Sequence, residues 1–297
     1  MTAAAPPVRG RSARRFPVGA GLLLLASAAF HTAVLVLDGG PWDGPVSWRK
    51  PITFGLSFGI SVLTVTWICR LLPLAARTRT LLLGAFTAAS LLETGLITLQ
   101  AWRGVPSHFN TETTFDTLVT RALAAGGVTL VAVVVALTVA ALRPAPGVDP
   151  GMRLALRAGL VALTGSMAAG AVMIAYGLTP EGAGRAAEAY RSAGFLRPAH
   201  AVTMHAVLLL PALAWLLSRT RRPEAERLRL IRLTVAAYAA VAALVTAAAA
   251  AGLTFASPAT TAAVSAGITM LPAGAFLAFG ASPGARDGRV DDRRPYS

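Results

Sequence analysis

Hydrophobic residues occur along this chain in long blocks, separated by shorter polar segments. A helix of about 20 apolar residues crosses a hydrocarbon core of about 30 Å, and in lipid it satisfies its own backbone hydrogen bonds. Gly55 and Gly59 lie within one block, four residues apart, a spacing that lets helices approach closely. The pattern predicts an all-α, polytopic transmembrane helical bundle of about eight spans. The spans cover residues 17–37, 52–72, 80–100, 121–142, 154–177, 199–218, 231–253 and 259–280.

Composition supports a membrane environment. Of the 297 residues, 55% are hydrophobic and 13% are charged, whereas soluble domains carry about 25% charged residues. The bundle 17–280 follows a basic cytoplasmic arm, 1–16, and precedes a Gly-, Asp- and Arg-rich tail, 281–297, that we expect to be disordered. The first block begins like a secretory signal, but its apolar run continues to Leu37, which favours an uncleaved span.

The positive charges are distributed unevenly. With the N-terminus inside, 20 of the 27 Lys and Arg residues fall in cytoplasmic segments, as the positive-inside rule predicts. The net charge of +14 therefore reflects an N-in/C-in topology and attraction to anionic lipid, and nucleic acid is not an expected partner. We expect a multi-pass protein of a cell membrane, a bacterial inner membrane, with the lipid bilayer as its partner. The oligomeric state stays open.

Ionisable residues inside the spans are few. In this topology the four histidines, His31, His108, His200 and His205, and the mid-span carboxylate Glu93 all lie in the outer half of the membrane. Such groups are costly in lipid and are functional candidates by default. Glu93 and His108 are candidate catalytic residues, His31, His200 and His205 candidate cofactor ligands, and His31, His108 and His205 candidate metal ligands. His200 and His205 are five residues apart, so a regular helix rotates them by about 140° and they cannot chelate one ion together.

Two adjacent cations depart from the positive-inside bias. Arg49 and Lys50 lie at an outer span end and need an anionic partner, which a haem propionate, a phosphate or Glu93 could supply. They are therefore candidate cofactor-binding residues. The single cysteine, Cys69, excludes an internal disulfide and a multi-cysteine metal site.

Three outer segments carry recognisable motifs. They are Trp48-Arg49-Lys50-Pro51, the stretch Arg103-Gly104-x-x-Ser107-His108-Phe109-Asn110, and Pro198-x-His200-x4-His205. In these motifs the chain resembles a family of bacterial polytopic integral membrane proteins that has no assigned function, so the resemblance implies a multi-pass fold and no activity. The family usually has a glycine-rich loop before the last motif, whereas residues 181–194 are rich in alanine and arginine.

Three functions remain open at this point, and the sequence does not decide whether the protein is an enzyme. The first is binding of haem or a transition metal through histidines in the outer half of the bundle. The second is proton-coupled transport with Glu93 and a histidine as relay. The third is intramembrane catalysis on a lipid or isoprenoid, in which Glu93 acts with His108 or His205 as general acid and base. Its substrate would be a small molecule or lipid that enters from the outer side.

Overall fold

The computed structural model describes residues 12–178, 188–190 and 193–252. Seven helices in this part are long and apolar enough to cross a membrane, and it contains no strand. The prediction of an all-α, multi-pass bundle is therefore confirmed for these residues. The last predicted span, 259–280, and the tail 281–297 lie outside the described residues. The helices are α1 (Ser12–Asp38), α2 (Arg49–Ile68), α3 (Ala76–Trp102), α4 (Thr114–Leu142), α5 (Pro150–Gly177), α6 (Arg197–Ser218) and α7 (Glu224–Ala250).

Local sequence explains where several helices begin. The Thr113 hydroxyl accepts the Asp116 backbone N–H at 3.1 Å and caps α4. The Asp149 carboxylate accepts the Met152 N–H at 3.1 Å and caps α5, which has Pro150 in its first turn. These side chains satisfy N–H groups that the first turn of a helix leaves without a partner.

Small residues let α1 and α2 meet closely. A Cβ atom on Gly55 would lie 2.8 Å from the Leu24 carbonyl oxygen, and one on Gly59 would lie 3.0 Å from the Gly21 carbonyl oxygen. Only glycine leaves room for such contact between backbones. The spacing of Gly55 and Gly59 therefore marks the surface of α2 that packs on α1.

The two ends of the bundle differ in character. Most buried apolar side chains form one core that includes Ile68, Leu137, Leu160, Leu210 and Ile231. A smaller cluster, Ile97, Val119 and Leu123, lies between α3 and α4. Beyond that cluster, α1, α3 and α5 end and α2, α4 and α6 begin. We call this end, with its connections, the polar end, because three of the buried ionisable side chains in the described residues, His31, Lys50 and Asp116, lie there.

Candidate functional site

Four charged or phenolic side chains meet at the polar end. Asp43, in the connection between α1 and α2, pairs with Arg49 at 3.1 Å and with Arg197 at 3.8 Å. The Tyr190 hydroxyl donates to the Asp43 carboxylate at 3.2 Å and accepts from the Arg49 guanidinium. Partial burial raises the pKa of Asp43, but the Gly44 backbone N–H and the two guanidinium groups outweigh it and hold that pKa below its ordinary value. Asp43 is therefore a carboxylate that anchors both arginines.

Lys50 lies beside this group but has no carboxylate partner of its own. Its residue is 7% exposed. Its ammonium donates to the Ser107 hydroxyl at 3.3 Å and lies 4.6 Å from the centroid of the Tyr190 ring, which the Arg197 guanidinium also contacts. No described residue forms an ion pair with it. Among the described residues, Asp43 pairs with Arg49 and Arg197 and forms no ion pair with Lys50. A buried charge without such a partner is costly.

A narrow pocket lies against Lys50, and in this structure its side chains leave no room for a molecule as large as water. Its wall includes the Ser47 and Ser107 side chains and apolar groups such as Ile97 and Val105. Ser47 is 6% exposed, and its hydroxyl has no hydrogen-bond partner in the described part of the chain. Buried polar groups in native proteins are nearly always hydrogen-bonded. The pocket therefore presents an ammonium and a hydroxyl whose bonding capacity is not used.

Ser107 links Lys50 to His108. The Ser107 hydroxyl lies 3.0 Å from His108 Nδ1. Burial lowers the pKa of His108 to about 4, with a further contribution from the Lys50 charge, so the imidazole is neutral at physiological pH. A charged lysine can only donate, so Ser107 Oγ accepts from Lys50. In the tautomer that leaves His108 Nδ1 without a hydrogen, the Ser107 hydroxyl donates to that nitrogen, and hydrogen bonds then run from ammonium to hydroxyl to imidazole.

The two residues after His108 are also unusual. Phe109 has a φ of +61°, a left-handed conformation that is strained for an aromatic residue. Its ring packs on Gly177 at the end of α5, where a larger side chain would collide with it. The Asn110 amide nitrogen is buried without a partner among the described residues. Strained backbone and unpaired polar groups tend to cluster at functional sites.

His31 is surrounded by aromatic rings and does not contact Lys50, Ser107 or His108. Its Nδ1 lies 2.7 Å from the Ser27 carbonyl oxygen, and its Nε2 accepts from the Trp102 indole N–H at 3.1 Å. The Trp48 ring lies 5.9 Å away. Both imidazole nitrogens are therefore engaged in hydrogen bonds in this structure, and the role of His31 as a haem or metal ligand stays a prediction from the sequence.

His200 and His205 occupy α6. His200 Nδ1 lies 2.7 Å from the Ser166 carbonyl oxygen of α5, whereas His205 Nδ1 lies 2.6 Å from the Ala201 carbonyl oxygen of its own helix. Their bonding partners thus lie on different helices, as expected from a spacing of five. Across the described residues, no group of three His, Cys, Asp or Glu side chains could hold a metal ion. The histidine-based haem or metal site predicted from the sequence therefore has no support in the described structure.

Glu93 lies deeper in the bundle than the polar end. It packs against α4, where a Cβ on Gly126 would come within 2.5 Å of its Oε1 atom. It forms no ion pair with a described residue, so it is not the partner of Arg49 or Lys50. Ile97, one helical turn nearer the polar end, lies between it and Gln100 along the same face of α3.

Several members of the site were not selected from the sequence: Asp43, Ser47, Ser107, Tyr190 and Arg197. One signal was present in the composition. Lys50 is the single lysine of the chain, whose other basic residues are all arginine. Arginine and lysine differ in shape and hydration, so a lone lysine in such a sequence marks an unusual environment.

The seven apolar helices and the polar end define a multi-pass membrane protein. No family model, curated protein or solved structure matches the chain. The resemblance noted above thus stays a prediction from its motifs. Residues of two of these motifs meet directly in the fold, since Lys50 contacts Ser107.

Proposed function

We propose that this protein lies in a cell membrane with its polar end outward, N-in/C-in, and binds a phosphate-type anion there. The anion would be the headgroup of a phospholipid or isoprenoid phosphate. The observation that carries the proposal is the buried Lys50 ammonium, which has no carboxylate partner among the described residues and lies beside two arginines. An anion that opened the adjoining narrow pocket would compensate that charge.

The surrounding groups suit a phosphate. At the pocket wall Lys50 supplies a compact ammonium, and Ser47 and Ser107 supply hydroxyls. Arg49 and Arg197, which pair with Asp43 nearby, add positive charge around the pocket without lining it. Phosphate oxygens are strong acceptors that arginine and lysine commonly bind. Because the pocket lies where helices end, a headgroup could reach it while its chains remain in the hydrocarbon.

Exposed tryptophans support this interfacial position. Trp42 and Trp102 are both about half exposed at the polar end. Tryptophan rings favour the level of lipid headgroups, where an apolar surface meets water. The distribution of arginines independently favours this end as the outer one.

Native mass spectrometry of detergent-purified protein tests the proposal. We expect phosphatidylglycerol to bind in preference to phosphatidylcholine with the same acyl chains. Lys50→Met should weaken phosphatidylglycerol binding about 10-fold or more, because losing a buried charged contact costs roughly 2–5 kcal/mol. Arg121→Met is the matched control, since it removes an exposed positive charge in the first turns of α4 and leaves the site intact.

The possible results distinguish a site for a lipid headgroup from a site for a soluble anion. Inorganic phosphate that binds in a Lys50-dependent manner, without any lipid adduct, would assign the pocket to a soluble anion. No preference for the anionic lipid and no phosphate binding would overturn the proposal. So would equal binding by the wild type and Lys50→Met.

A second candidate function is ester chemistry on the bound lipid, favoured by the 3.0 Å contact between Ser107 Oγ and His108 Nδ1. A hydroxyl next to a neutral imidazole can act as a nucleophile. Ser107 Oγ would bond to the ester carbonyl carbon while His108 takes its proton. His108 would then protonate the departing alcohol, and water would release the acyl group and restore Ser107. Lys50 would stabilise negative charge on the reacting group.

A fluorophosphonate probe tests this second candidate, because it forms a covalent adduct with activated serines. We expect labelling that Ser107→Ala abolishes and Ser47→Ala retains. Labelling that survives in Ser107→Ala, or that is absent from the wild type, would contradict a nucleophilic Ser107. The lipid-binding measurement tests the proposed headgroup site, and its result does not depend on whether Ser107 is a nucleophile.

A further inference from the structure

Glu93 is a carboxyl group within a membrane-spanning helix, in the half of α3 nearer the polar end. It is 5% exposed. The interface of α3 and α4 can be followed in three levels, which are Gln100 with Asp116, Ile97 with Leu123, and Glu93 with Gly126. At 1.5 Å per residue, Glu93 lies about 10 Å deeper along α3 than Gln100. The apolar middle level separates Glu93 from the polar end.

No described cation approaches this carboxyl group. Its contacts are the Gly126 position and the Gly127 backbone N–H of α4, and no hydrogen bond or ion pair joins it to a described side chain. Arg103, ten residues along α3, is about 15 Å away along the axis and pairs with Asp116. Glu93 therefore differs from Asp116, whose charge is compensated.

The ionisable groups on the elements packed around Glu93 all lie towards helix ends. On α2 no charged residue follows Lys50, so its facing surface beside Glu93 is uncharged. The remaining groups on these elements are Arg15, His31 and Asp38 on α1, Arg49 and Lys50 on α2, Arg77, Arg79 and Arg103 on α3, and Asp116 and Arg121 on α4. None of them contacts the Glu93 carboxyl group.

We infer that Glu93 is a proton-binding site within the membrane part of the bundle, where it keeps its proton to a higher pH than an exposed glutamate does. A bare carboxylate in such surroundings would be a buried charge without a partner, and proton binding removes that charge. Because Gly126 has no side chain, the neutral carboxyl group fits against α4. Release of the proton would place a charge at this contact, so packing of α3 against α4 depends on protonation.

Infrared spectroscopy of the purified protein tests the inference directly. At neutral pH we expect the carbonyl band of a protonated carboxyl group, which shifts on exchange into D₂O and is lost in Glu93→Gln. Glutamine has nearly the same shape, so this variant is the conservative control for folding. Absence of a Glu93-dependent band in the folded wild type would overturn the inference.

Chemical modification with dicyclohexylcarbodiimide is a second test of whether Glu93 is protonated. A protonated carboxyl group adds across a C=N bond of this apolar reagent and rearranges to a stable N-acylurea, with no leaving group. We expect an adduct on Glu93 that declines as the pH is raised, while Asp116, paired with Arg103, remains unmodified. Modification of Asp116 in preference to Glu93 would contradict the assignment. Neither experiment depends on the proposed headgroup site.

Discussion

At the scale of single residues, burial decides which side chains at the polar end carry charge. Lys50 and His108 are neighbours in space, each bonded to Ser107. Their roles differ, because lysine can only donate whereas a neutral imidazole also accepts. The sequence placed His108 among the candidate catalytic residues and Ser107 in the same motif. It did not show that Ser107 contacts Lys50, because that contact depends on how α2 packs in the bundle.

The buried imidazole predicts a dependence of stability on pH. The pKa of His108 in the fold, about 4, is below its ordinary value of 6.5, so the unfolded chain binds the proton more readily. The contribution of the neutral imidazole is complete above about pH 6.5 and is lost as the pH falls towards 4. From pH 7 to pH 5 we expect a loss of roughly 1–2 kcal/mol.

Thermal unfolding in detergent at the two pH values measures this loss. His108→Gln should show a smaller decrease in melting temperature between pH 7 and pH 5 than the wild type. The same decrease in both proteins would show that His108 is not the group responsible.

At the scale of helices, the apolar blocks predict where each helix lies more accurately than they predict its first and last residues. The block 52–72 begins three residues after the start of α2 and extends four residues beyond its end at Ile68, in a stretch that leads to Pro73. Proline disfavours helical conformation in the residue before it, so the helix cannot continue through this stretch. The block 121–142 misses the first turns of α4, where the helix continues through polar residues from the Thr113 cap. Hydropathy reports the part of a helix that lies in hydrocarbon, whereas capping decides where the helix begins.

Helix α5 offers a matched pair of glycines for testing its contact with α6. A Cβ on Gly159 would lie 2.9 Å from Val207 Cα and 3.1 Å from the Ala206 carbonyl oxygen, whereas one on Gly165 would meet nothing within 4 Å. Gly159→Ala should therefore destabilise the protein by about 1–3 kcal/mol, because backbone atoms cannot easily move aside.

Gly165→Ala is the control, with the same change in helix propensity and no collision. The measurement is the melting temperature of both variants in one detergent. Equal melting temperatures would show that α5 and α6 are farther apart than the structure indicates.

At the scale of the whole molecule, alternation of the helices brings distant parts of the chain to one end. Arg49 and Tyr190 are 141 residues apart in sequence, and Lys50 and Ser107 are 57 apart, yet each pair is in contact. The distribution of arginines predicts that this end faces outward.

Labelling of introduced cysteines tests that orientation. Cys69 is buried and should not react. Thr111, in the connection between α3 and α4, and Gly147, between α4 and α5, are both exposed. In intact cells, Thr111→Cys should react with a membrane-impermeant maleimide, and Gly147→Cys should react only after permeabilisation. The reverse pattern would place the polar end in the cytoplasm and overturn the proposed outward-facing headgroup site.

The sequence by itself determined that this protein lies in lipid and that its apolar blocks form helices. Apolar blocks of membrane length require helices, because lipid offers no partner for backbone hydrogen bonds. Only the tertiary structure decided which polar side chains meet. Within the described ranges it gives Lys50 no carboxylate of its own, joins Ser107 to His108, and separates Glu93 from the cations of the polar end. The physical reason is that hydropathy depends on each residue's own chemistry, whereas compensation of a buried charge depends on neighbours that other helices bring into contact.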